Sequence, residues 1–287
     1  MGQSIPNIQK KHSNLSPTRI VLYTVMIAGG VILIFPIIWM LLTALKGSES
    51  LAVYPPQLFP WPVMWRNFID ALQVLPFATF YKNSLIITIA CMIGDVLTSA
   101  LVAYGFSRFK FYGREILFIL VLSTMLLPLQ VTIVPRFILF RKFGWVDNFW
   151  PIIVPAFLGG SGFYIFLLRQ FFLGIPNEIA DAAKIDGCGP FGIFWRLYLP
   201  LSKPALATIA IFSFMYNWND FFVPLVFLNS KEKYTVQLGL NLFMDQYNVD
   251  WSFLMANAIL ATLPCFIIFF FAQRFFIQGI SMTGVKE

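Results

Sequence analysis

Long charge-free runs alternate with short polar segments along this chain. About 20 apolar residues in a helix cross a bilayer. Six spans are predicted, at about residues 20–45, 83–107, 116–135, 148–168, 205–228 and 251–273. The pattern therefore predicts an all-α integral membrane protein with a six-span domain at residues 20–275, a tail at 1–19 and a tail at 276–287. The segment from Arg136 to Asp147 is predicted to be a loop.

Composition supports a membrane protein and excludes several kinds of chemistry. Of the 287 residues, 59% are hydrophobic and 11% are charged, whereas a soluble domain carries about 25% charge. The three cysteines form no CxxC pair, and the single His12 lies in the first tail, so no metal site and no histidine-based catalysis is expected. No G-x-x-x-x-G-K-[ST] phosphate loop is present, so we expect neither a nucleotide site nor an enzyme.

The distribution of basic residues predicts the orientation. Six spans place both tails on one side, together with the loops after the second and fourth spans. Twelve of the 20 Lys and Arg residues fall on that side. Cytoplasmic segments carry the excess of positive charge. We therefore expect a multi-pass protein of the cell (inner or plasma) membrane with both termini in the cytoplasm.

The longest polar interruption in the second half of the chain is residues 176–204, which we call the 176–204 loop. Pro176 sets the entry to a short helix for which Asn177 is a good N-cap. Gly187 stops this helix where a left-handed residue is needed. Pro190 fits the first turn of a second helix, which is predicted to run to about Leu199 before Pro200 ends it.

The first helix of this loop is too short and too charged to span a membrane. Ala180, Ala182 and Ala183 keep its flank thin, so the backbone of another protein could approach closely. The alternative is an amphipathic helix lying on its own membrane, and residue chemistry alone leaves both open. The helix carries four charged side chains, Glu178, Asp181, Lys184 and Asp186.

The run D-A-A-K-I-D-G from Asp181 to Gly187, followed by Leu199 and Pro200, resembles the "EAA" cytoplasmic loop of permease subunits of binding-protein-dependent ABC importers. The longer frame, with F-W-R-L-Y-L-P and the later Q-R-F-F-I-Q-G, resembles the carbohydrate, maltose-type branch. Asp181 replaces the usual leading Glu and Cys188 replaces the usual Ala. Asp181 keeps the charge, and neither change removes the turn or the face of small residues.

The resemblance implies the partners. They are a second homologous permease, two ATPase subunits (a homodimer or a heterodimer) that use ATP and Mg, an extracytoplasmic substrate-binding protein and membrane lipid, with no nucleic acid and no cofactor on this chain. It implies that the loop couples to the ATPase through Glu178, Asp181, Ala182, Ala183, Asp186, Gly187 and Pro200. It also implies that the last residues reach between the ATPase subunits, with Thr283, Gly284 and Lys286 as the contacts.

Acidic residues inside predicted spans are costly and usually face the interior of a bundle. Asp220 follows Asn217 and Asn219, and Pro224 can bend that span. These three polar residues are predicted to line a translocation path and hydrogen-bond sugar hydroxyls. The alternative is that they join helices by hydrogen bonds. For Asp95 in the second span, we favour the structural interpretation.

Two other classes of protein explain these residues less well than an importer subunit does. An ion-coupled secondary transporter would use Asp95 and Asp220, but no clear inverted repeat is visible and that class does not explain the 176–204 loop. An intramembrane enzyme lacks a catalytic pair, since the sequence places no two acids together. Pro128, Pro224 and Pro264 are predicted positions of helix bends.

Overall fold

A computed structural model describes residues 17–51, 53–54, 57–244 and 250–283 of the chain, and these residues form helices joined by turns. The α-helices are α1 (Pro17–Ala44), α2 (Ser48–Leu51), α3 (Asn67–Val74), α4 (Phe77–Arg108), α5 (Arg114–Ser123), α6 (Leu129–Lys142), α7 (Trp150–Ile153), α8 (Gly162–Leu173), α9 (Asn177–Ile185), α10 (Pro190–Ile193), α11 (Leu199–Leu201), α12 (Lys203–Trp218), α13 (Phe222–Phe227), α14 (Val236–Asn241) and α15 (Trp251–Thr283).

Four helical segments in the described part of the chain are long and apolar enough to cross a membrane. Two further helix pairs pass the same test but are sharply bent, which gives six spans if each pair is one span. These four segments are Pro17–Ala44, Phe77–Arg108, Trp150–Leu173 and Trp251–Phe271. The predicted all-helical membrane class is therefore confirmed.

The third predicted span is broken at its centre. The segment Arg114–Leu126 meets α6 at an angle of 100°, and Pro128 stands at the break, as predicted. The predicted loop from Arg136 to Asp147 is wrong over its first half, because α6 continues to Lys142. The sequence pattern ends the third span before Arg136 because this residue is charged. In the structure Arg136 lies inside α6.

The fifth and sixth predicted spans differ from the prediction at their bends. α12 ends at Trp218, and α13 begins at Phe222, so the break precedes Pro224. The side chain of Asp220 stabilises this break by capping α13. Pro264 lies inside an unbroken α15, which runs to Thr283. Helices in membranes tolerate proline where neighbouring groups satisfy the freed carbonyl.

α4 is the central helix of the bundle and packs against α8, α12, α14 and the segment around α7. Small residues permit the closest approaches. A Cβ atom on Gly160, whose φ is +67°, would lie 2.2 Å from Ser99 Oγ of α4. A Cβ atom on Gly94 of α4 would lie 2.8 Å from the Phe157 ring. Only glycine therefore permits this packing at both positions.

At the end of α4 that begins with Phe77, Asp147 joins two loops. Its Oδ1 accepts hydrogen bonds from the backbone N–H groups of Asn229 and Ser230, both at 3.0 Å. Its Oδ2 accepts from Ser230 Oγ at 2.5 Å and from Lys233 Nζ at 3.0 Å. These bonds hold the pKa of the Asp147 carboxyl well below its usual range, and the hydrogen bond from the Ser230 side chain contributes most.

We expect Asp147→Ala to lower the stability of the folded chain by about 1 kcal/mol, because it removes hydrogen bonds to a charged acceptor that is partly open to solvent. Folding lowers this pKa, so the stabilisation is present above the unfolded value of about 3.9 and is lost only as the pH falls through the lower folded value. Thermal unfolding in detergent should therefore show a constant difference between wild type and variant from about pH 6 to pH 8. A difference that changes across this range would contradict the assignment.

Candidate functional site

The first helix of the 176–204 loop is α9. Gly187 follows it with φ of +81°, as the sequence predicted, and its N–H donates to Lys184 O at 3.0 Å. The prediction that Asn177 is the N-cap is wrong. Pro176 occupies the cap position, and Asn177 is the first helical residue, with its side chain accepting a hydrogen bond from Arg108.

The second helical segment of the loop begins at Pro190, as predicted, but it does not end at Pro200. Residues Phe194–Tyr198 form a π-helical turn, and α11 carries the helix on to Leu201. A proline inside a helix clashes with the carbonyl four residues earlier. The wider π turn changes the position of that carbonyl, so the chain passes Pro200 and turns at Ser202.

The two faces of α9 have different surroundings. Ala183 is 9% exposed and, with Ala180, packs on the protein's own bundle. The expectation that these two residues leave room for another protein is therefore wrong, and Ala182 alone of the three alanines is exposed. The exposed residues include Glu178, Ile179, Asp181, Ala182, Lys184, Ile185 and Asp186. Ile185 is 87% exposed and lies on the same face as the three carboxylates.

A polar cavity of about 320 Å³ lies among α4, α6, α7, α8, α12 and α13. It is level with the middle of α4, which contributes Cys91 and Asp95 to its wall. Its other polar side chains are Arg136, Ser161, Tyr164, Tyr216, Asn217 and Asp220. The structure thus brings Asp95 and Asp220 to one cavity, which corrects the expectation that no two acids lie together.

Asp95 connects two helices and also lines the cavity. Its Oδ2 accepts a hydrogen bond from Ser213 Oγ of α12 at 2.6 Å. Asn217 Nδ2 donates to the carbonyl of Ser213 at 2.7 Å and to its hydroxyl at 3.2 Å. The structural interpretation therefore fits Asp95, which also interacts with the side chain of Asn217 on α12.

Asp220 is held by local hydrogen bonds. Its Oδ1 accepts from the backbone N–H groups of Phe222 and Val223, at 3.1 and 3.2 Å. Its Oδ2 has no hydrogen-bond partner among the described residues. Asn219, predicted for the same path, does not line the cavity, and its side chain donates to Met215 O at 2.8 Å. Because α12 ends at Trp218, Asn219 lies in the turn that follows it, and its place in the translocation path stays a prediction.

Arg136 lines the cavity but was not identified from the sequence, because the sequence pattern places Arg136 in a loop. Its Nη2 donates to Pro151 O at 2.7 Å, and its guanidinium lies 5.7 Å from the Phe140 ring centre and 6.0 Å from that of Phe227. Tyr164 and Tyr216 were also missed, since aromatic residues are common throughout this chain. The signal for Arg136 was a lone basic residue within an apolar stretch.

In the described part of the chain, no three His, Cys, Asp or Glu side chains lie close enough to hold a metal ion. The predicted tail contacts Gly284 and Lys286 lie outside the described residues. Thr283 is the last residue of α15, so the helix covers most of the segment that was predicted to be a tail.

A helical membrane bundle with a polar cavity at half its depth and a charged helical loop at one end is the architecture of a membrane transport component. The chain belongs to the family of binding-protein-dependent transport system inner membrane components, whose model matches residues 14–282.

Among characterised proteins, the arabinooligosaccharides transport system permease protein AraQ of Bacillus subtilis is 34% identical over 281 residues, covering 96% of this chain and 99% of that protein. The sn-glycerol-3-phosphate transport system permease protein UgpE of Yersinia pestis is 29% identical over 266 residues, covering 90% of this chain and 94% of that protein.

Two crystal structures share the fold. A bacterial ABC transporter involved in the import of the acidic polysaccharide alginate contains a chain with a TM-score of 0.80 and 24% identity, with 90% of this chain and 95% of that chain covered. A structure of a bacterial alginate ABC transporter, in complex with alginate pentasaccharide-bound periplasmic protein, gives a TM-score of 0.65 at 15% identity, with 89% and 93% covered. Membership of a binding-protein-dependent system does not support the ion-coupled alternative.

Proposed function

We propose that this chain is the permease subunit of an ATP-driven sugar importer, in which it forms half of the translocation path. The observation that carries the proposal is the 176–204 loop. Its inner face packs on the bundle, and its outer face presents three carboxylates together with the exposed side chains of Ala182 and Ile185. Such a rigid helix fits a groove on a partner better than it fits a lipid surface, because three carboxylates face outward.

The partner at this loop is an ATPase subunit. Two ATPase subunits, a second homologous permease and an extracytoplasmic substrate-binding protein complete the importer. The ATPase subunits use ATP and Mg, and this chain binds no cofactor itself. One structural relative is in complex with an alginate pentasaccharide-bound periplasmic protein, which supports the binding protein as a partner.

The substrate is a carbohydrate or a related polyol. The names of the relatives, which refer to arabinooligosaccharides and sn-glycerol-3-phosphate, support this class. The cavity supplies suitable groups, because Asp220 Oδ2 is an acceptor without a partner among the described residues and Asn217, Tyr164 and Tyr216 are neighbouring polar side chains. Buried polar groups in a site of this kind discriminate in favour of ligands that bond to them.

Both termini and the 176–204 loop lie in the cytoplasm. The excess of basic residues on this side supports the orientation. In the same arrangement, Asp147 and the loop that it binds lie on the extracytoplasmic side. The C-terminal residues, including Thr283, Gly284 and Lys286, then lie on the side of the ATPase subunits and contact them.

Purification of the tagged chain from its native membrane in mild detergent tests the proposal. We expect a second permease and an ATPase to co-purify, and the complex to hydrolyse ATP. A chain that purifies alone and transports in liposomes on an ion gradient would contradict the proposal. In that case Asp95 and Asp220 would become the first residues to test.

A further inference from the structure

One arginine at the end of α4 binds three separate elements. The guanidinium of Arg108 donates to the carbonyls of Phe172 and Ile175 at the end of α8, the second at 2.6 Å. It also donates to the side-chain oxygen of Asn177, the first residue of α9. Its central carbon lies 4.8 Å from the ring centre of Tyr198 in the second half of the 176–204 loop.

Each of these contacts suits an arginine in particular. The last carbonyls of a helix lack partners within the helix, and a cation is favourable at a helix C-terminus. The planar guanidinium carries five N–H donors in a fixed fork and stacks on aromatic rings. Lysine keeps the charge but cannot hold two carbonyls and an amide oxygen while it stacks on a ring. The arrangement therefore fixes α4, α8 and both halves of the loop relative to one another.

The two membrane helices that Arg108 joins are also walls of the cavity. Asp95 lies 13 residues before Arg108 on α4, about 20 Å along the helix axis. Tyr164 lies near the start of α8, at the end opposite Phe172. Between these points, α4 and α8 pack directly through Ala100, Ala103, Leu168 and their neighbours in one buried cluster. A displacement of the loop is thus carried to the cavity along two packed helices.

We propose that Arg108 is the positioning residue through which movement of the 176–204 loop reaches the cavity. This inference rests on the proposed function, in which ATPase subunits move the loop. Coupling between two sites requires an element whose state both sites influence. The unit formed by α4, α8 and Arg108 is that element. Without the guanidinium, the described residues of the loop contact α4 through apolar packing and through the hydrogen bond from Tyr104 OH to Pro190 O.

The cavity contains its own reporter, Cys91, which is 1% exposed. The experiment uses the purified complex with Cys188→Ala and Cys265→Ala, so that Cys91 is the one cysteine of this chain. Modification of Cys91 by methyl methanethiosulfonate is followed by mass spectrometry of its peptide. The rate is compared without nucleotide and in the state trapped with ATP and vanadate. We expect the rate to differ between the two states in this background.

In Arg108→Gln we expect the ratio of the two rates to fall to about 1 while ATP hydrolysis persists, because the coupling free energy is lost. Arg108→Lys should restore part of the ratio. Asn177→Ala, which removes one of the four contacts, should reduce the ratio without affecting assembly. The Asn177→Ala variant therefore also tests the proposal if the Arg108→Gln complex does not assemble.

Arg169→Gln is the matched control. Arg169 belongs to α8 and joins it to α4, because its Nε donates to Phe106 O at 3.4 Å. It also binds Glu115 at 3.3 Å and lies 4.2 Å from the Phe118 ring centre. It makes no contact with the 176–204 loop among the described residues, so this variant should keep the nucleotide-dependent ratio. The proposal is overturned if Arg108→Gln keeps the ratio, or if Arg169→Gln loses it equally. A background complex without any ATPase subunit would instead refute the proposed function, and this inference with it.

Discussion

Gly187→Pro should abolish sugar uptake while the membrane bundle still folds and assembles. Gly187 has a φ of +81°, whereas proline fixes φ near −65° and removes the N–H that bonds to Lys184 O. Proline also disfavours the helical conformation of the residue before it. The end of α9 must therefore change shape, and the second half of the loop is displaced relative to the first. We expect uptake to fall by more than about tenfold, equivalent to at least 1.4 kcal/mol of lost coupling.

The measurement is uptake together with ATP hydrolysis in membrane vesicles that contain the whole importer. Gly189→Pro provides a matched control two residues away. Gly189 has a φ of −72° and a ψ of 167°, which proline adopts readily. A Cβ atom there meets nothing within 4 Å, and its N–H has no partner among the described residues. Uptake in Gly187→Pro equal to that in Gly189→Pro would contradict the coupling role of the loop.

Asp220→Asn should reduce uptake by about tenfold or more, because a hydrogen bond to a charged group contributes about 1.5–3 kcal/mol. The variant separates two roles of one side chain. Asparagine keeps an oxygen that can accept from the N–H groups of Phe222 and Val223, so α13 stays capped. It replaces Oδ2, which is the atom available to a sugar hydroxyl in the cavity.

Two further variants make this result specific. Asp220→Ala removes both roles and should also lower the stability of the complex by about 1 kcal/mol through the lost cap. Asn219→Ala changes a neighbouring polar residue outside the cavity and should leave uptake unchanged. Uptake is measured at equal amounts of assembled complex. Normal uptake in Asp220→Asn would remove Asp220 from the translocation path.

The sequence by itself determined the class of fold and the position of the loop. Apolar runs of about 20 residues have one stable solution in a bilayer, since every backbone polar group must be satisfied within the helix. The turn at Gly187 was equally predictable, because a left-handed φ at a helix end strongly favours glycine. The start of the second segment at Pro190 follows from the same local rules. Each of these features depends on residues that are close together in the chain.

Tertiary structure decided the features that depend on distant residues. The sequence pattern predicts a loop at Arg136, because a charge within an apolar run costs free energy unless a partner compensates it. In the structure that partner is Pro151 O, which lies in another helix. The shared cavity of Asp95 and Asp220 depends on the packing of α4 against α12. Ala183 faces the bundle instead of a partner because it is buried in a cluster with residues of α4, α8 and the second half of the loop. The role of Arg108 likewise could not be recognised until the helices that it joins were placed together.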